Sequence, residues 1–186
     1  MLRGRLKFDK MGHCYFITTT LFRFEKIFSL GDEYNLIIIN SLKKQIKEHN
    51  TELYAYVIMP NHIHLLFRLA YGESIIDFMR DFKRETSNEI KLQLKREYRS
   101  NILNRLKHYS RGYKNQKYKV WMDRYDDVII SSEKVFNIKM NYIHANPVKS
   151  GLVENIEDWK YSSYRNYIYG GQTLIEIKSL KTETIT

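Results

Sequence analysis

The chain has 186 residues, of which 43% are hydrophobic and 14% aromatic, so it is long and apolar enough to form a core. It has no apolar run long enough to span a membrane, and its single cysteine, Cys14, excludes an internal disulfide. The net charge of +10 favours a polyanionic partner such as nucleic acid. These features indicate an intracellular protein rather than a secreted or membrane-spanning one.

The first part of the chain is predicted to form one strand, then a helix, then two further strands. Aromatic and β-branched residues predict a strand over Cys14–Thr20. Apolar residues at helical spacing, with acidic residues early and lysines late, predict a helix over Asp32–Glu48. The run ELYAYVIM then predicts a second strand, which stops at the turn signal MPN. A third strand, HIHLLFRL, follows so closely that the two strands should form an antiparallel hairpin.

The second part of the chain is predicted to be mainly helical. A long helix is expected over 74–97, followed by a strongly basic segment, 98–119, that reads as a mobile or partly helical excursion. VWMDRYDDVII predicts a short strand or turn. SSEKVFNIKMNYIHAN predicts a helix that is capped by Ser131 or Ser132 and stops near the residue before Pro147, because proline restricts its predecessor.

Two histidines at the start of the third strand are candidate metal ligands. Alternate residues of a strand share a face, so His62 and His64 should point to one side and the apolar set of the strand to the other. Two neutral imidazoles can approach one cation together, although further ligands must complete its shell. Imidazole suits Mn²⁺ or Zn²⁺ better than Mg²⁺. The alternative is that both histidines are ordinary polar residues on a solvated sheet face.

A second candidate pair lies on the last long helix. Tyr142 and Asn146 are four residues apart, so they share a helix face and could present a nucleophile and a neutral oxygen ligand to one metal. The alternative is that Tyr142 is a core aromatic residue and Asn146 caps the helix end. His144 lies about 200° around the helix from Tyr142, which argues against a role as a third ligand.

These motifs together resemble a known family. YVIMPNHIHLLF, followed further along the chain by YIHANPVKSGLV, resembles the single-tyrosine HUH transposases of the IS200-like type, and within them the REP-associated tyrosine transposases. RDFKRETSN, WMDRYDDVIISSEKVFN and WKYSSYRNY also match that branch in order and spacing. The resemblance covers roughly residues 12–167.

The resemblance implies an α+β fold with a central antiparallel sheet and packed helices, similar to a ferredoxin-like arrangement. We expect one domain over 1–186, with a core at 12–167, a variable basic excursion at 98–119 and a loose C-terminal tail at 171–186. The implied location is the cytoplasm of a prokaryote, in association with the nucleoid.

The resemblance also implies residue roles and a reaction. His62 and His64 correspond to the metal-binding pair, Asn146 to the residue that completes the metal site, and Tyr142 to the nucleophile. The implied metal is Mg²⁺ or Mn²⁺. The implied activity is cleavage and rejoining of single-stranded DNA near hairpins through a 5′-phosphotyrosine intermediate.

Contacts to DNA are expected from the basic helix and from the excursion that follows it, because Lys and Arg neutralise phosphates. The candidates are Arg80, Lys83, Arg84, Lys91, Arg111, Lys114 and Lys117. For each of these, the alternative is a solvated helix face.

Other functions are weighed against this one. The main rival is a non-catalytic, host-adopted protein of the same fold that binds hairpin DNA. A metal-independent phosphoesterase would need a second histidine-rich strand, and a zinc hydrolase would need an acidic base beside the ligands; the sequence has neither pattern. We favour a monomer whose site is completed within one chain over a homodimer with swapped sites.

Overall fold

The computed structural model describes residues 12–113, 117–169 and 173–178. The strands are β1 Cys14–Thr20, β2 Glu52–Met59, β3 His62–Arg68 and β4 Asp126–Ile129. The α-helices are α1 Asp32–Glu48, α2 Ile75–Arg96, α3 Ser100–Tyr109, α4 Glu133–Lys149 and α5 Tyr164–Tyr169. The described helices include none that is long and apolar enough to cross a membrane.

The four strands form one antiparallel sheet in the order β2-β3-β1-β4. Strand β3 lies between β1 and β2, and α1 connects β1 to β2. These elements form a split βαβ unit. Helices α2 and α3 make the second connection, from β3 to β4. This arrangement is ferredoxin-like and confirms the predicted α+β fold with a central antiparallel sheet.

The two faces of the sheet bury different sets of side chains. Ile63, Leu65 and Phe67 of β3 belong to the larger core, which they share with residues of α1 and α2. Leu66 faces the other way and packs in a smaller core with Ile143 of α4. The period of two along a strand produces this division, and it directs the face of His62 and His64 towards α4.

Helix α4 begins as the sequence predicted and ends later than predicted. Ser132 is the N-cap, and its Oγ accepts a hydrogen bond of 3.3 Å from the backbone N–H of Val135. The helix continues through Pro147 to Lys149, so the predicted stop near Asn146 was wrong.

Pro147 is tolerated because it lies in the last turn of the helix. It removes one backbone N–H donor, and only two helical residues follow it. The turn is then closed by backbone hydrogen bonds from Ser150 to Asn146 and from Leu152 to Pro147. A proline is most disruptive where a long run of helix must follow it.

The basic excursion is partly helical, as predicted. It contains α3, whose Leu106 is fully buried, and the backbone N–H of Lys119 bonds to the Leu106 carbonyl at 2.9 Å. Val120 and Trp121 then enter the core. The segment is therefore anchored at both ends of its described part.

Part of the C-terminal tail is held against the sheet rather than loose. Ile175 is buried, and the backbone N–H of Lys178 donates a 2.7 Å hydrogen bond to the Leu53 carbonyl. These contacts cover the edge strand β2. The remaining residues of the predicted tail lie outside the described part of the chain.

Candidate active site

The hairpin of β2 and β3 brings two imidazoles together on the α4 side of the sheet. His62 and His64 are the first and third residues of β3, and their ring centroids are 4.8 Å apart. His64 is buried, with 3% of its surface exposed, whereas His62 is partly exposed. One imidazole is therefore fixed inside the protein and the other lies at its surface.

Each imidazole uses its Nδ1 for a local hydrogen bond. The bond between His62 Nδ1 and Asn61 Oδ1 is 2.7 Å, and the bond between His64 Nδ1 and Thr18 Oγ1 is 2.9 Å. The sheet register sets the second bond, because Thr18 lies directly opposite His64. Nε2 of His64 is buried and has no hydrogen-bond partner among the described residues.

Burial keeps both imidazoles neutral. It lowers the pKa of His64 from 6.5 to about 3, with smaller contributions from the charges of His62 and Lys139. Burial also lowers the pKa of His62 below 6.5. The neutral ring is the form that binds a metal.

Tyr142 of α4 lies beside this pair. Its ring meets the His64 ring edge to face, with centroids 5.2 Å apart, and meets the Phe16 ring at 5.9 Å. Tyr142 is 40% exposed, so it is not a core residue and a polymeric substrate can reach it. Three rings from two strands and one helix thus meet at one place.

Asn146 lies one helical turn after Tyr142 on the same face of α4. It is buried, and its carboxamide forms no hydrogen bond with another side chain or with the backbone of the described residues. Because α4 continues to Lys149, Asn146 does not cap the helix end. Its carboxamide oxygen is a candidate metal ligand on the helix that packs against the imidazole face of the sheet.

His144 faces a different part of the protein. Its Nε2 forms a 2.8 Å hydrogen bond with Ser163 Oγ, and its ring meets the Tyr164 ring edge to face. Burial lowers its pKa to about 4. The helical angle between His144 and Tyr142 predicted this separation.

The donor set fits a divalent cation that keeps open positions. Within the described residues, no three His, Cys, Asp or Glu side chains are grouped so that they could enclose a metal ion. A cation would rest on His62, His64 and Asn146 and take its remaining ligands from water or from a phosphate. The unpartnered Nε2 of His64 is the observation that fits this role best.

Five of the predicted DNA-contacting residues line one groove, of about 430 Å³, between α2 and the 117–123 segment. They are Arg80, Lys83, Arg84, Lys91 and Lys117. Arg111 is exposed but does not line this groove, and Lys114 lies outside the described residues.

The ammonium group of Lys83 is already bound by backbone carbonyls of the protein itself. Its ammonium group donates to the backbone carbonyls of Met122, Asp123 and Arg124, at 2.9, 3.3 and 3.2 Å. Burial lowers its pKa to about 8. Lys83 therefore fastens the 120–124 segment to α2 and is less available to a ligand than its neighbours.

The other cations of the groove differ in how far they are neutralised. Arg80 pairs with Asp77 and Asp81, and Arg84 also pairs with Asp81. Within the described residues, the only hydrogen bond of the Lys91 ammonium goes to the neutral Asn88 side chain, at 2.7 Å. The ammonium of Lys117 is exposed, and none of the described carboxylates forms an ion pair with it.

Sequence reasoning missed the cations on either side of Tyr142. The ammonium nitrogens of Lys139 and Lys149 lie 6.0 and 5.8 Å from the centroid of the Tyr142 ring. The signal was available, because these lysines are three residues before and seven residues after the tyrosine on a helix.

Comparison with known proteins decides the family. The sequence profile of the "Transposase IS200 like" family matches residues 23–146, a stretch that includes His62, His64, Tyr142 and Asn146. This chain belongs to the IS200-like transposase family.

Two relatives are REP-associated tyrosine transposases, as the sequence resemblance implied. A Haemophilus influenzae protein that carries this name provisionally is 32% identical over 192 residues, covering 96% of this chain and 98% of the relative. The REP-associated tyrosine transposase of Escherichia coli K12 is 26% identical, covering 86% of this chain and 81% of the relative.

A solved structure of a REP-associated tyrosine transposase bound to a REP hairpin has the same fold. The TM-score is 0.63 at 21% identity, with 99% of this chain and 96% of the other covered. The IS200-like transposase fold thus extends over nearly the whole chain.

Proposed function

We propose that this chain is a metal-dependent tyrosine transposase that cleaves and rejoins single-stranded DNA near hairpins. The observation that carries the proposal is the 5.2 Å separation between the rings of Tyr142 and His64, with Tyr142 exposed. A nucleophile and a neutral metal-binding group are thereby adjacent within one chain. This also supports a monomer whose site is complete in cis.

In the proposed reaction, the hydroxyl oxygen of Tyr142 attacks a backbone phosphorus of single-stranded DNA. The P–O bond to the 3′ oxygen breaks, the phenol loses its proton to water, and the 3′ oxygen takes up a proton, so the departing strand leaves with a free 3′-OH. The product is a 5′-phosphotyrosine, and attack by a DNA 3′-OH reverses the step. No external energy source is needed because one phosphodiester replaces another.

The chain's own residues prepare the site for this step. Thr18 and Asn61 hold the rings of His64 and His62 by their Nδ1 atoms, which leaves both Nε2 atoms as the ligating positions. When bound there, Mg²⁺ or Mn²⁺ would polarise the scissile phosphate and neutralise charge in the transition state. This assistance matters because a phenol is a weak nucleophile at neutral pH.

The proposed DNA partner is a hairpin with a single-stranded flank. The bound hairpin in the structural relative supports this choice, as does the basic groove lined by Arg80, Arg84, Lys91 and Lys117. Helices α2 and α4 pack on opposite faces of the sheet. A hairpin in the groove would therefore send its single strand past the sheet to reach Tyr142.

The experiment is a denaturing gel for covalent protein–DNA adducts. Hairpin oligonucleotides with single-stranded flanks are incubated with wild type, Tyr142→Phe or Tyr98→Phe, with Mn²⁺ or with a chelator. Tyr98 is the matched control because it is a highly exposed tyrosine at the end of α2. We expect adducts from wild type and Tyr98→Phe with Mn²⁺, and none from Tyr142→Phe.

An adduct that persists in Tyr142→Phe would refute the assignment of the nucleophile. Hairpin binding by wild type without any adduct, across the oligonucleotide panel, would favour the non-catalytic DNA-binding protein instead.

A further inference from the structure

Helix α4 presents one stripe of polar side chains to the candidate active site. Lys139, Tyr142, Asn146 and Lys149 follow each other at intervals of three, four and three residues. This spacing keeps all four on one side of a helix. The nucleophile and the proposed amide ligand thus have a lysine on each side along the helix.

The two ammonium groups lie close to the tyrosine ring. Lys139 Nζ is 4.4 Å from the centroid of the Phe16 ring and 6.0 Å from that of Tyr142. Lys149 Nζ is 5.8 Å from the Tyr142 centroid, so the two nitrogens are at most 11.8 Å apart. A DNA strand carries one negative charge per nucleotide, so a stretch of a few nucleotides can meet both ammonium groups.

Neither lysine is neutralised by the protein. Among the described residues, no carboxylate forms an ion pair with Lys139 or Lys149. Other lysines do have acidic partners, such as Lys44 with Glu85 and Lys160 with Asp32. Ring faces are the only contacts described for these two ammonium groups, which leaves their charges available to an anion.

We propose that Lys139 and Lys149 bind the DNA phosphates on either side of Tyr142 and hold the strand across the nucleophile. This inference rests on the proposed function and adds two residues to it. Lysine acts as a point charge on phosphate oxygens, so these contacts fix the position of the strand without reading its sequence. They are separate from the groove on α2, which lies on the other face of the sheet.

The first test measures binding without cleavage. Lys139→Gln and Lys149→Gln are made in the Tyr142→Phe background, and affinity for a single-stranded oligonucleotide is measured over a range of salt concentrations. Each change should reduce the slope of log K against log salt by about 0.7, the value for one phosphate contact on a single strand. Lys134→Gln is the matched control, because Lys134 is an exposed lysine at the start of the same helix.

The second test removes charge from the DNA instead. Uncharged methylphosphonates are placed one at a time along the oligonucleotide. At one position, the substitution should weaken binding severalfold in the parent protein and have no effect in Lys139→Gln, whereas Lys139→Arg should respond like the parent. This test detects a direct phosphate contact, which a purely structural lysine would not produce.

The outcomes separate this inference from the proposed function. Unchanged salt slopes in both glutamine variants, with adducts still formed by wild type, would overturn the phosphate contacts and leave the tyrosine chemistry standing. Reduced slopes in the glutamine variants, with no adduct formed by wild type, would support the phosphate contacts and refute the transposase reaction. If a glutamine variant fails to fold, the methylphosphonate scan of the parent and Lys139→Arg decides the matter, and a flat scan overturns the inference.

Discussion

At the scale of single residues, His64 shows how the fold would prepare the proposed metal ligand. Thr18 on the neighbouring strand fixes the ring through Nδ1, and burial keeps it neutral by lowering its pKa to about 3. The cost is a buried Nε2 without a hydrogen bond, and an unsatisfied group of this kind costs about 1–3 kcal/mol. A bound cation would remove that penalty, so metal binding and folding stability should be coupled at this residue.

Thr18→Val tests whether this positioning matters. Valine has the shape of threonine but cannot accept a hydrogen bond, so Nδ1 of His64 would lose its partner. Loss of such an outer contact typically lowers metal affinity by 10–100-fold. We expect Mn²⁺ binding, measured by isothermal titration calorimetry, to weaken to that extent.

Thr20→Val provides the control for that experiment. Thr20 lies two residues further along β1, on the same side of the strand, and faces His62 in the register. No hydrogen bond of its hydroxyl is described, so Mn²⁺ affinity should stay near that of wild type. An affinity in Thr18→Val equal to that of the control would contradict the positioning role.

At the scale of elements, α4 carries Tyr142, Asn146 and both flanking lysines. The stability of this helix, which begins at the Ser132 cap, therefore affects how most side chains of the candidate site are held. Ser132→Ala removes the acceptor for the Val135 backbone N–H. Loss of an N-cap of this type costs about 1 kcal/mol. The free energy of unfolding, measured by urea denaturation, should fall by that amount.

Ser131→Ala is the comparison for the cap, because the sequence alone did not decide between the two serines. Ser131 is exposed and precedes the cap, so its truncation should change the free energy of unfolding by less than about 0.5 kcal/mol. Equal losses in the two variants would mean that the helix begins elsewhere.

The strands and helices differ in how well the sequence predicted them. The bounds of β1, α1 and β2 matched because alternation, helical spacing and turn signals agree there. The predicted end of α4 did not match. A residue before proline tends to leave the helical conformation, but this tendency does not take into account that Pro147 lies in the last turn, where few helical residues follow it.

The contacts of individual cationic side chains were harder to predict from the sequence than the helices and strands. The sequence put Lys83 in one class with Lys91, yet Lys83 donates to three carbonyls of a segment about forty residues away. The charges that border Tyr142 were also missed, since every cation predicted to contact DNA lay on the long basic helix or in the excursion that follows it. Both errors concern which cations the folded chain neutralises, and that depends on contacts between distant segments.

At the scale of the whole molecule, the net charge is +10, and the cations that contribute to it differ in whether a carboxylate pairs with them. Several are held by carboxylates, as in the pairs of Lys44 with Glu85 and Arg105 with Glu25. Lys91 and Lys117 border a groove and lack such partners among the described residues. General attraction of DNA should depend on the total charge, whereas specific contact should depend on these positions.

Two double variants with the same net charge distinguish the two effects. Lys91→Gln with Lys117→Gln removes two cations from the groove, and Lys43→Gln with Lys47→Gln removes two exposed cations from α1. The groove variant should reduce the slope of log K against log salt for hairpin DNA by about 1.8, or 0.9 for each lost phosphate contact on a duplex. The α1 variant should leave the slope nearly unchanged.

Because both proteins carry a net charge two units below wild type, equal losses of slope would show that total charge, rather than the groove, governs binding. Fluorescence anisotropy with a labelled hairpin, measured between low and physiological salt, gives the slopes directly.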